Sequence, residues 1–114
     1  MIQVGDIAFV TFPFEEKQAD RVHPVLVLEV MEHSQCIVAY GSSKQVDANC
    51  PRKGEVVVSD PEHLRRCGLT RPTRFDLCIR ARLFVPRRSR VGVLPAQVHG
   101  RLYSAAVTAG LLGA

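Results

Sequence analysis

Residues 73–90 read TRFDLCIRARLFVPRRSR: apolar and polar side chains alternate along the segment, which then finishes in a cluster of arginines. Such alternation is typical of a β-strand, because successive side chains point to opposite faces of a sheet. The pattern therefore predicts a strand with one core face and one mostly positive face. The predicted core face consists of Phe75, Leu77, Ile79, Ala81 and Leu83. The opposite face consists of Arg74, Asp76, Cys78, Arg80 and Arg82.

Five further segments have the apolar, β-branched composition of short strands and are bounded by turn residues. These segments are residues 7–12, 25–30, 36–40, 55–59 and 89–95. The polar stretches 14–22 and 44–54 are predicted loops.

Two helices are predicted beside the strands. Asp60 can cap a short helical turn, PEHLRRC, that Gly68 ends. After Pro95, apolar residues recur at alternating steps of four and three, which is typical of an amphipathic helix. They are Val98, Leu102, Ala105, Ala109 and Leu112. The sequence therefore predicts a mostly β fold, a small bent antiparallel sheet or partly open barrel with a C-terminal α-helix, in one domain over residues 1–114.

The charge is divided between the two halves of the chain. Residues 1–64 hold five Lys/Arg and ten Asp/Glu, whereas residues 65–114 hold ten arginines, no lysine and one acid, Asp76. A guanidinium can grip a phosphate with two donors and stack on a base, which an ammonium cannot do. The division favours an anionic partner, either a nucleic acid or an acidic peptide.

Several classes of protein lack support in the sequence. There is no Gly-rich phosphate loop, His-Glu-x-x-His or Gly-x-Ser-x-Gly motif. Cys36, Cys50, Cys67 and Cys78 are widely spaced, so we expect four reduced, mostly buried thiols, with no metal and no cofactor. No apolar run has the length of a membrane span, and Asp6 lies where a signal peptide would be basic or apolar. We therefore expect a cytoplasmic protein.

Four segments, in this order, resemble the PemK/MazF toxins of bacterial toxin-antitoxin pairs. GDIAFVTFPF (5–14) is similar to the family's Gly-Asp-Ile/Val start, and HPVLVLEV (23–30) to its Arg-Pro-Ala/Val-Leu-Val-Leu strand. IVAYGSS (37–43) is similar to the strand that ends in a Thr or Ser at the active site, and GLTRPTRFDL (68–77) to a later segment that leads into a strand.

The resemblance implies an SH3-like barrel with a C-terminal helix, assembled as a homodimer. It implies a metal-independent endoribonuclease that cuts single-stranded RNA by attack of a ribose 2′-hydroxyl on the neighbouring phosphorus. It also implies a cognate antitoxin that silences the toxin with an acidic extended segment.

The resemblance carries over to particular residues only in part. Ser42 stands where the family has its hydroxyl residue, and His23 stands where the family has an arginine before proline. The positions of an Arg-x-acidic pair found in some members fall at Asp76 and Cys78. Positive charge at the site is therefore expected from the same strand face, and the predicted catalytic residues are His23, Ser42, Arg80 and Arg82.

Further residues are predicted to bind RNA. Arginines in the loop after Pro86 are expected to contact phosphates, which positions a nucleic acid without selecting its sequence. The complete set of predicted RNA-binding residues is Arg21, Ser43, Arg74, Arg87, Arg88 and Arg90. Phe14 and the arginine planes are the candidates for base stacking.

Alternatives remain open at each position and for the whole protein. His23 can serve in acid-base catalysis or simply pack beside Pro24, Ser42 can belong to an ordinary Gly-Ser-Ser turn, and the arginine cluster can be a solubilising turn. The alternative function is a non-enzymatic binder on the same fold, either one that grips DNA gyrase or a degenerate toxin that retains only antitoxin binding.

Overall fold

The computed structural model describes residues 1–13 and 21–111. In this part of the chain, six strands form one antiparallel sheet in the spatial order β4-β5-β3-β2-β1-β6. The strands are β1 (Asp6–Thr11), β2 (Val22–Val30), β3 (Gln35–Ser42), β4 (Glu55–Val58), β5 (Thr73–Phe84) and β6 (Arg90–Val93). The helices are α1 (Pro61–Cys67) and α2 (His99–Thr108). The sheet curls into a half-barrel, and the predicted mostly β fold with a terminal helix is confirmed.

The six predicted strands are all present, with shifted ends. The largest shift is in β2, which begins at Val22 and so includes three residues that the sequence assigned to a loop or a turn. The predicted loop 44–54 does lie between β3 and β4. Residues 14–20 of the other predicted loop, including Phe14, lie outside the described residues.

Both predicted helices form, although α2 ends at Thr108, before the predicted helix residue Ala109, and Leu112 lies outside the described residues. The Asp60 carboxylate accepts hydrogen bonds from the backbone N–H groups of Glu62, at 2.9 Å, and His63, at 3.3 Å. Gly68 ends α1 in the left-handed conformation, at φ 74°. A short 3-10 turn over Ala96–Val98 precedes α2. Neither helix among the described residues has the length and apolarity needed to cross a bilayer.

The sheet carries a hydrophobic core on each face. The first core lies between the sheet and the two helices and contains Ile7, Leu26, Ala39, Val56, Phe75 and Leu77 with Leu64, Cys67, Val98 and Ala105. The second core lies on the opposite face and contains Ile2, Ala8, Phe12, Val25, Val27, Cys36, Val38 and Val85. Because both faces of the sheet are covered, the sequences of β1, β2 and β3 are nearly continuous runs of apolar residues.

A bulge in β5 overturns the prediction of one core face along residues 73–83. Tyr40 of β3 pairs with Asp76, but the adjacent Ala39 pairs with Arg80, so three residues of β5 have no partner on β3. When an odd number of residues is inserted into a strand, the side chains after the insertion point to the opposite face of the sheet from the one that the alternation predicts. Phe75 and Leu77 consequently join the first core, whereas Ala81 and Leu83 pack against the second.

Polar contacts within β5 stabilise this bulge. The Asp76 carboxylate accepts a hydrogen bond from the Cys78 backbone N–H at 2.9 Å, and Arg80 donates to the Leu77 carbonyl at 2.8 Å. The Leu77 N–H donates to the Gly54 carbonyl at 2.9 Å. Ile79, which the alternation assigned to the core, is 37% exposed.

Two glycines let the end of α1 lie directly on β6. A Cβ at Gly68 would lie 2.2 Å from the Val91 carbonyl oxygen, and one at Gly92 would lie 2.3 Å from the Cys67 carbonyl carbon. Real Cβ atoms do not approach backbone so closely, so each position needs a glycine. The end of α1 is therefore packed backbone to backbone against β6.

Candidate functional site

A pocket of about 520 Å³ lies at one end of the sheet, where β2 begins, β3 ends and β5 begins. This volume is within the range of small-molecule and cofactor sites. Four segments line the pocket: the start of β2, the end of β3 with the turn that follows, the chain between α1 and β5, and Phe9 of β1. The lining residues include Arg21, Val22, His23, Tyr40, Ser42, Ser43, Lys44, Arg71 and Arg74.

Strand pairing brings the polar residues together. Val25 pairs with Tyr40, and two steps further along the two strands the chain reaches His23 and Ser42. Ser42 in turn pairs with Arg74 of β5. Alternate residues of a strand share a face, as do directly paired residues, and Val25 belongs to the second core. The imidazole, the hydroxyl and the guanidinium therefore all extend from the face that holds the second core.

An aromatic row connects the second core to the pocket. The ring of buried Phe12 meets the Tyr40 ring edge-on, with centroids 5.3 Å apart. The Tyr40 ring then lies 5.0 Å from the imidazole of His23. The imidazole is therefore held by a half-buried aromatic ring, which is itself held by the core.

The environment of His23 lowers its pKa below the ordinary value of 6.5. The largest cause is burial, which disfavours the charged imidazolium, and the nearby positive charges of Arg21 and Lys44 act in the same direction. At neutral pH the imidazole is consequently uncharged, and an uncharged imidazole has a ring nitrogen that can accept a proton.

The Ser42 hydroxyl takes part in the turn that follows β3. Its oxygen accepts a hydrogen bond from the Lys44 backbone N–H at 3.1 Å, which is ordinary turn chemistry. Ser42 is 7% exposed. A hydroxyl has two acceptor positions and one donor, so this bond leaves the O–H able to donate towards a ligand in the pocket.

Arg74 is anchored on two sides. Its Nε donates to the Lys44 carbonyl at 2.9 Å, and its terminal nitrogen lies 3.2 Å from Glu55 Oε2. The Arg74 side chain is 13% exposed and that of Glu55 is 3% exposed. The pair thereby ties the turn after β3 to β4, and Arg74 contributes to the wall of the pocket with a guanidinium that is already paired.

The pocket is positively charged. Arg21, Lys44, Arg71 and Arg74 all line it, and no Asp or Glu is among the described residues that do so. Glu55 lies behind the wall, and Arg74 is the one cation of the described pocket lining with which it forms an ion pair. The remaining cations are exposed, and together they favour an anionic ligand.

A solved structure matches this architecture. It is the Mycobacterium tuberculosis toxin MazF-mt6, with a TM-score of 0.68 and 20% sequence identity over 96% of this chain and 99% of that chain. The fold is of the MazF type. This confirms the fold that the resemblance to PemK/MazF toxins implied. No family model matches the sequence, and neither does any curated protein.

The MazF-type fold brings part of the predicted site together. Of the four residues predicted to be catalytic, His23 and Ser42 line the pocket. Of those predicted to bind RNA, Arg21, Ser43 and Arg74 line it as well.

The other predicted residues lie elsewhere on the fold. Arg80 lines a separate groove against α2, beside Leu102 and Tyr103. Arg82 pairs with Ile37, far along β3 from Ser42. The bulge explains this placement, because it turns both arginines to the helix side of the sheet.

The arginines that follow Pro86 have different surroundings. The Nε of Arg90 lies 3.1 Å from Asp6, a carboxylate with a 4% exposed side chain, so this arginine stabilises the pairing of β6 with β1. Arg87 and Arg88 are exposed in a 3-10 turn. Of these three, Arg88 lines a groove next to the pocket.

Sequence reasoning missed Lys44 and Arg71 and gave Tyr40 no place in the site. The signal for the first two was present, because Lys44 directly follows Gly-Ser-Ser and Arg71 lies in the segment GLTRPTRFDL. That segment also contains Arg74-Phe75-Asp76, an Arg-x-acidic sequence two residues before the positions assigned to that pair. Only the pairing of Ser42 with Arg74 makes the closer match evident.

The cysteines are all unbridged, and half of them are exposed. Cys36 and Cys67 are buried, whereas Cys50 and Cys78 are exposed, so the expectation of mostly buried thiols is wrong for two of the four. Burial raises the pKa of Cys67 to about 11, which makes it an unreactive core thiol. Within residues 1–13 and 21–111, no group of three or more His, Cys, Asp or Glu side chains is arranged to hold a metal ion.

Proposed function

We propose that this protein is the toxin of a toxin-antitoxin pair and that it cuts single-stranded RNA without a metal ion. The observation that carries the proposal is that an imidazole of lowered pKa, His23, and the Ser42 hydroxyl line the same cationic pocket. The MazF-type fold supports the same conclusion, because the similar solved structure is itself described as a toxin.

The proposed reaction begins with proton transfer to His23. The uncharged imidazole takes the proton of a ribose 2′-hydroxyl, and the oxygen attacks the adjacent phosphorus. A bond from the 2′ oxygen to phosphorus forms while the bond from phosphorus to the 5′ oxygen breaks. The products are a 2′,3′-cyclic phosphate and a 5′-hydroxyl end, so no water is consumed in this step.

Cationic groups stabilise the charge that develops on the phosphoryl oxygens. The guanidinium groups of Arg71 and Arg21 can serve as positive charges in the pocket. The Ser42 O–H donates to a phosphoryl oxygen, and the anchored guanidinium of Arg74 holds the turn in place. The Lys44 ammonium group can donate a proton to the leaving 5′ oxygen.

The cationic surface also suits the proposed antitoxin. An acidic extended segment would meet the same arginines as the RNA phosphates, so the two ligands would exclude each other. The resemblance to PemK/MazF toxins supports a homodimer as the assembled form.

The proposal is tested by incubating purified protein, free of antitoxin, with a long single-stranded RNA in excess EDTA. We expect discrete bands on a gel with the wild type and intact RNA with the Ser42→Ala/His23→Ala double variant. Intact RNA with folded wild-type protein would overturn the proposal. A pull-down with DNA gyrase would then test the non-enzymatic alternative.

The lowered pKa of His23 predicts a characteristic pH profile. Since the reaction needs the uncharged imidazole, kcat/KM should rise with pH through the His23 pKa, with its midpoint below the ordinary value of 6.5. Arg21→Gln removes one positive charge that lowers this pKa, so the midpoint should move to higher pH. Arg66→Gln, on exposed α1 surface, is the matched control and should leave the midpoint in place. A midpoint that does not respond to Arg21→Gln would exclude His23 as the titrating base.

A further inference from the structure

A groove of about 550 Å³ lies next to the candidate site. It runs between the paired ends of β1 and β2 on one side and the chain that follows β5 on the other. Its lining includes Phe9, Val10, Val22, Phe84, Arg88 and Ser89.

The groove and the pocket of His23 form one continuous surface. Phe9 and Val22 line both of them. Val10 of the groove also pairs directly with His23 across β1 and β2. A chain bound at His23 can therefore continue into the groove.

The groove exposes apolar surface beside a cation. Phe84 is 55% exposed, Val22 is 57% exposed and Phe9 is 37% exposed. Arg88 is also exposed, and no Asp or Glu is among the described residues that line the groove. Exposed aromatic rings combined with arginine, in the absence of acids, are what single-stranded nucleic acid requires for base stacking and phosphate contact.

The fold presents Phe84 and Arg88 rigidly. Val85, between them, is completely buried in the second core, and its N–H donates to the Ser34 carbonyl at 3.0 Å. The following turn is closed by two hydrogen bonds from Ser89, one from its N–H at 2.9 Å and one from its hydroxyl at 2.6 Å, both to the Pro86 carbonyl. Side chains held by a rigid backbone lose little conformational entropy on binding.

We propose that this groove is a substrate subsite that binds the nucleotides of single-stranded RNA on one side of the scissile phosphate. A base stacks on Phe84 or Phe9, and Arg88 contacts a phosphate. The inference rests on the proposed ribonuclease function and deepens it, because it assigns the path along which the substrate leaves the catalytic pocket. Binding here acts equally on the ground state and the transition state, so it lowers KM and leaves kcat unchanged.

The test compares RNA oligonucleotides that extend from a mapped cleavage position by several nucleotides on the 5′ side or on the 3′ side. With the wild type, extension on one side should lower KM about 10-fold, as expected for one stacked base. Phe84→Ala and Arg88→Gln should each lose most of this gain and keep kcat within about twofold. Arg88→Gln should also reduce the slope of log KM against log salt concentration by about 0.7, the value for one phosphate contact of a single strand.

Two matched controls remove the same chemical groups elsewhere on the surface. Tyr103→Ala deletes an aromatic ring that is 60% exposed on α2, and Arg66→Gln deletes an exposed arginine on α1. Both should keep the effect of extension. If the wild type cleaves but the groove variants behave as these controls do, the subsite is overturned and the ribonuclease function stands. If the wild type neither cleaves nor binds RNA, the ribonuclease function itself fails.

A second measurement separates RNA from a protein occupant. Light scattering should give the same molar mass for Phe84→Ala, Arg88→Gln and the wild type. If a groove variant changes the assembly state, a second copy of the chain covers the groove, and the subsite proposal is wrong.

Discussion

His23→Ala should lower the kcat of RNA cleavage by at least about 100-fold, the lower end of what a general base supplies. The dissociation constant for RNA should change little, because the imidazole is uncharged at neutral pH and the cations of the pocket remain. Single-turnover cleavage and fluorescence anisotropy measure the two quantities separately. Binding can be followed with a single-stranded DNA of the same sequence, since it lacks the attacking 2′-hydroxyl.

His33→Asn is the matched control for this prediction. His33 lies in the turn before β3, and Ser42 is at the far end of that strand, which is roughly 23 Å long. Its φ of 59° is in the left-handed region, which asparagine tolerates better than alanine. The control should cleave RNA at the wild-type rate. A loss of less than about 10-fold in His23→Ala would remove the imidazole from the mechanism and favour the interpretation that it only packs beside Tyr40.

Arg74→Ala should lower the free energy of unfolding by about 3 kcal/mol, because removing one partner of a buried pair leaves an uncompensated charge. The charge left behind is that of Glu55, whose side chain is 3% exposed. Its other cationic neighbour, Arg52, is 4.0 Å away and 58% exposed, so it compensates poorly. The turn that carries Lys44 also loses the hydrogen bond from Arg74. Urea unfolding followed by circular dichroism measures the change.

The double variant Arg74→Met/Glu55→Gln separates the charge from the packing. It replaces the pair with uncharged side chains of similar size, and the introduced amide oxygen can still accept the hydrogen bond that Glu55 receives from the Arg52 N–H. We expect its stability to lie within about 1 kcal/mol of the wild type. A single Arg74→Ala variant that unfolds at the wild-type urea concentration would show that the pair contributes nothing. If the double variant is as stable as the wild type yet cleaves RNA poorly, Arg74 acts on the substrate as well as on the fold.

The parts of the fold that were predicted correctly depend on local chemistry. Asp60 and Gly68 bound α1, because a carboxylate can cap the first N–H groups and a glycine can adopt the left-handed conformation. The apolar runs of β1, β2 and β3 predict buried strands irrespective of what they pair with. The ends of the strands were predicted less accurately than the strands themselves. In β2, the pairing of Val22 with Thr11 extends the strand beyond its apolar run.

Part of the candidate pocket follows from the sequence for the same reason. His23 and Ser42 were selected because each belongs to a short recognisable segment, and the MazF-type fold places both in one pocket. Arg80 and Arg82 were selected by strict alternation along β5, which holds only in a strand without a bulge. Arg71 and Lys44 were missed because their proximity depends on two strands that are far apart in the sequence.

By itself the sequence determined the strands, the capped helix, the terminal amphipathic helix and the positive second half of the chain, since these follow from side-chain chemistry and spacing within a few residues. Tertiary structure alone decided which arginines surround His23. That choice depends on the register between β3 and β5, and the register includes a bulge whose hydrogen bonds come partly from Gly54, outside both strands. A shift of pairing by an odd number of residues moves every later side chain to the other face, so the location of each arginine is a property of the assembled sheet.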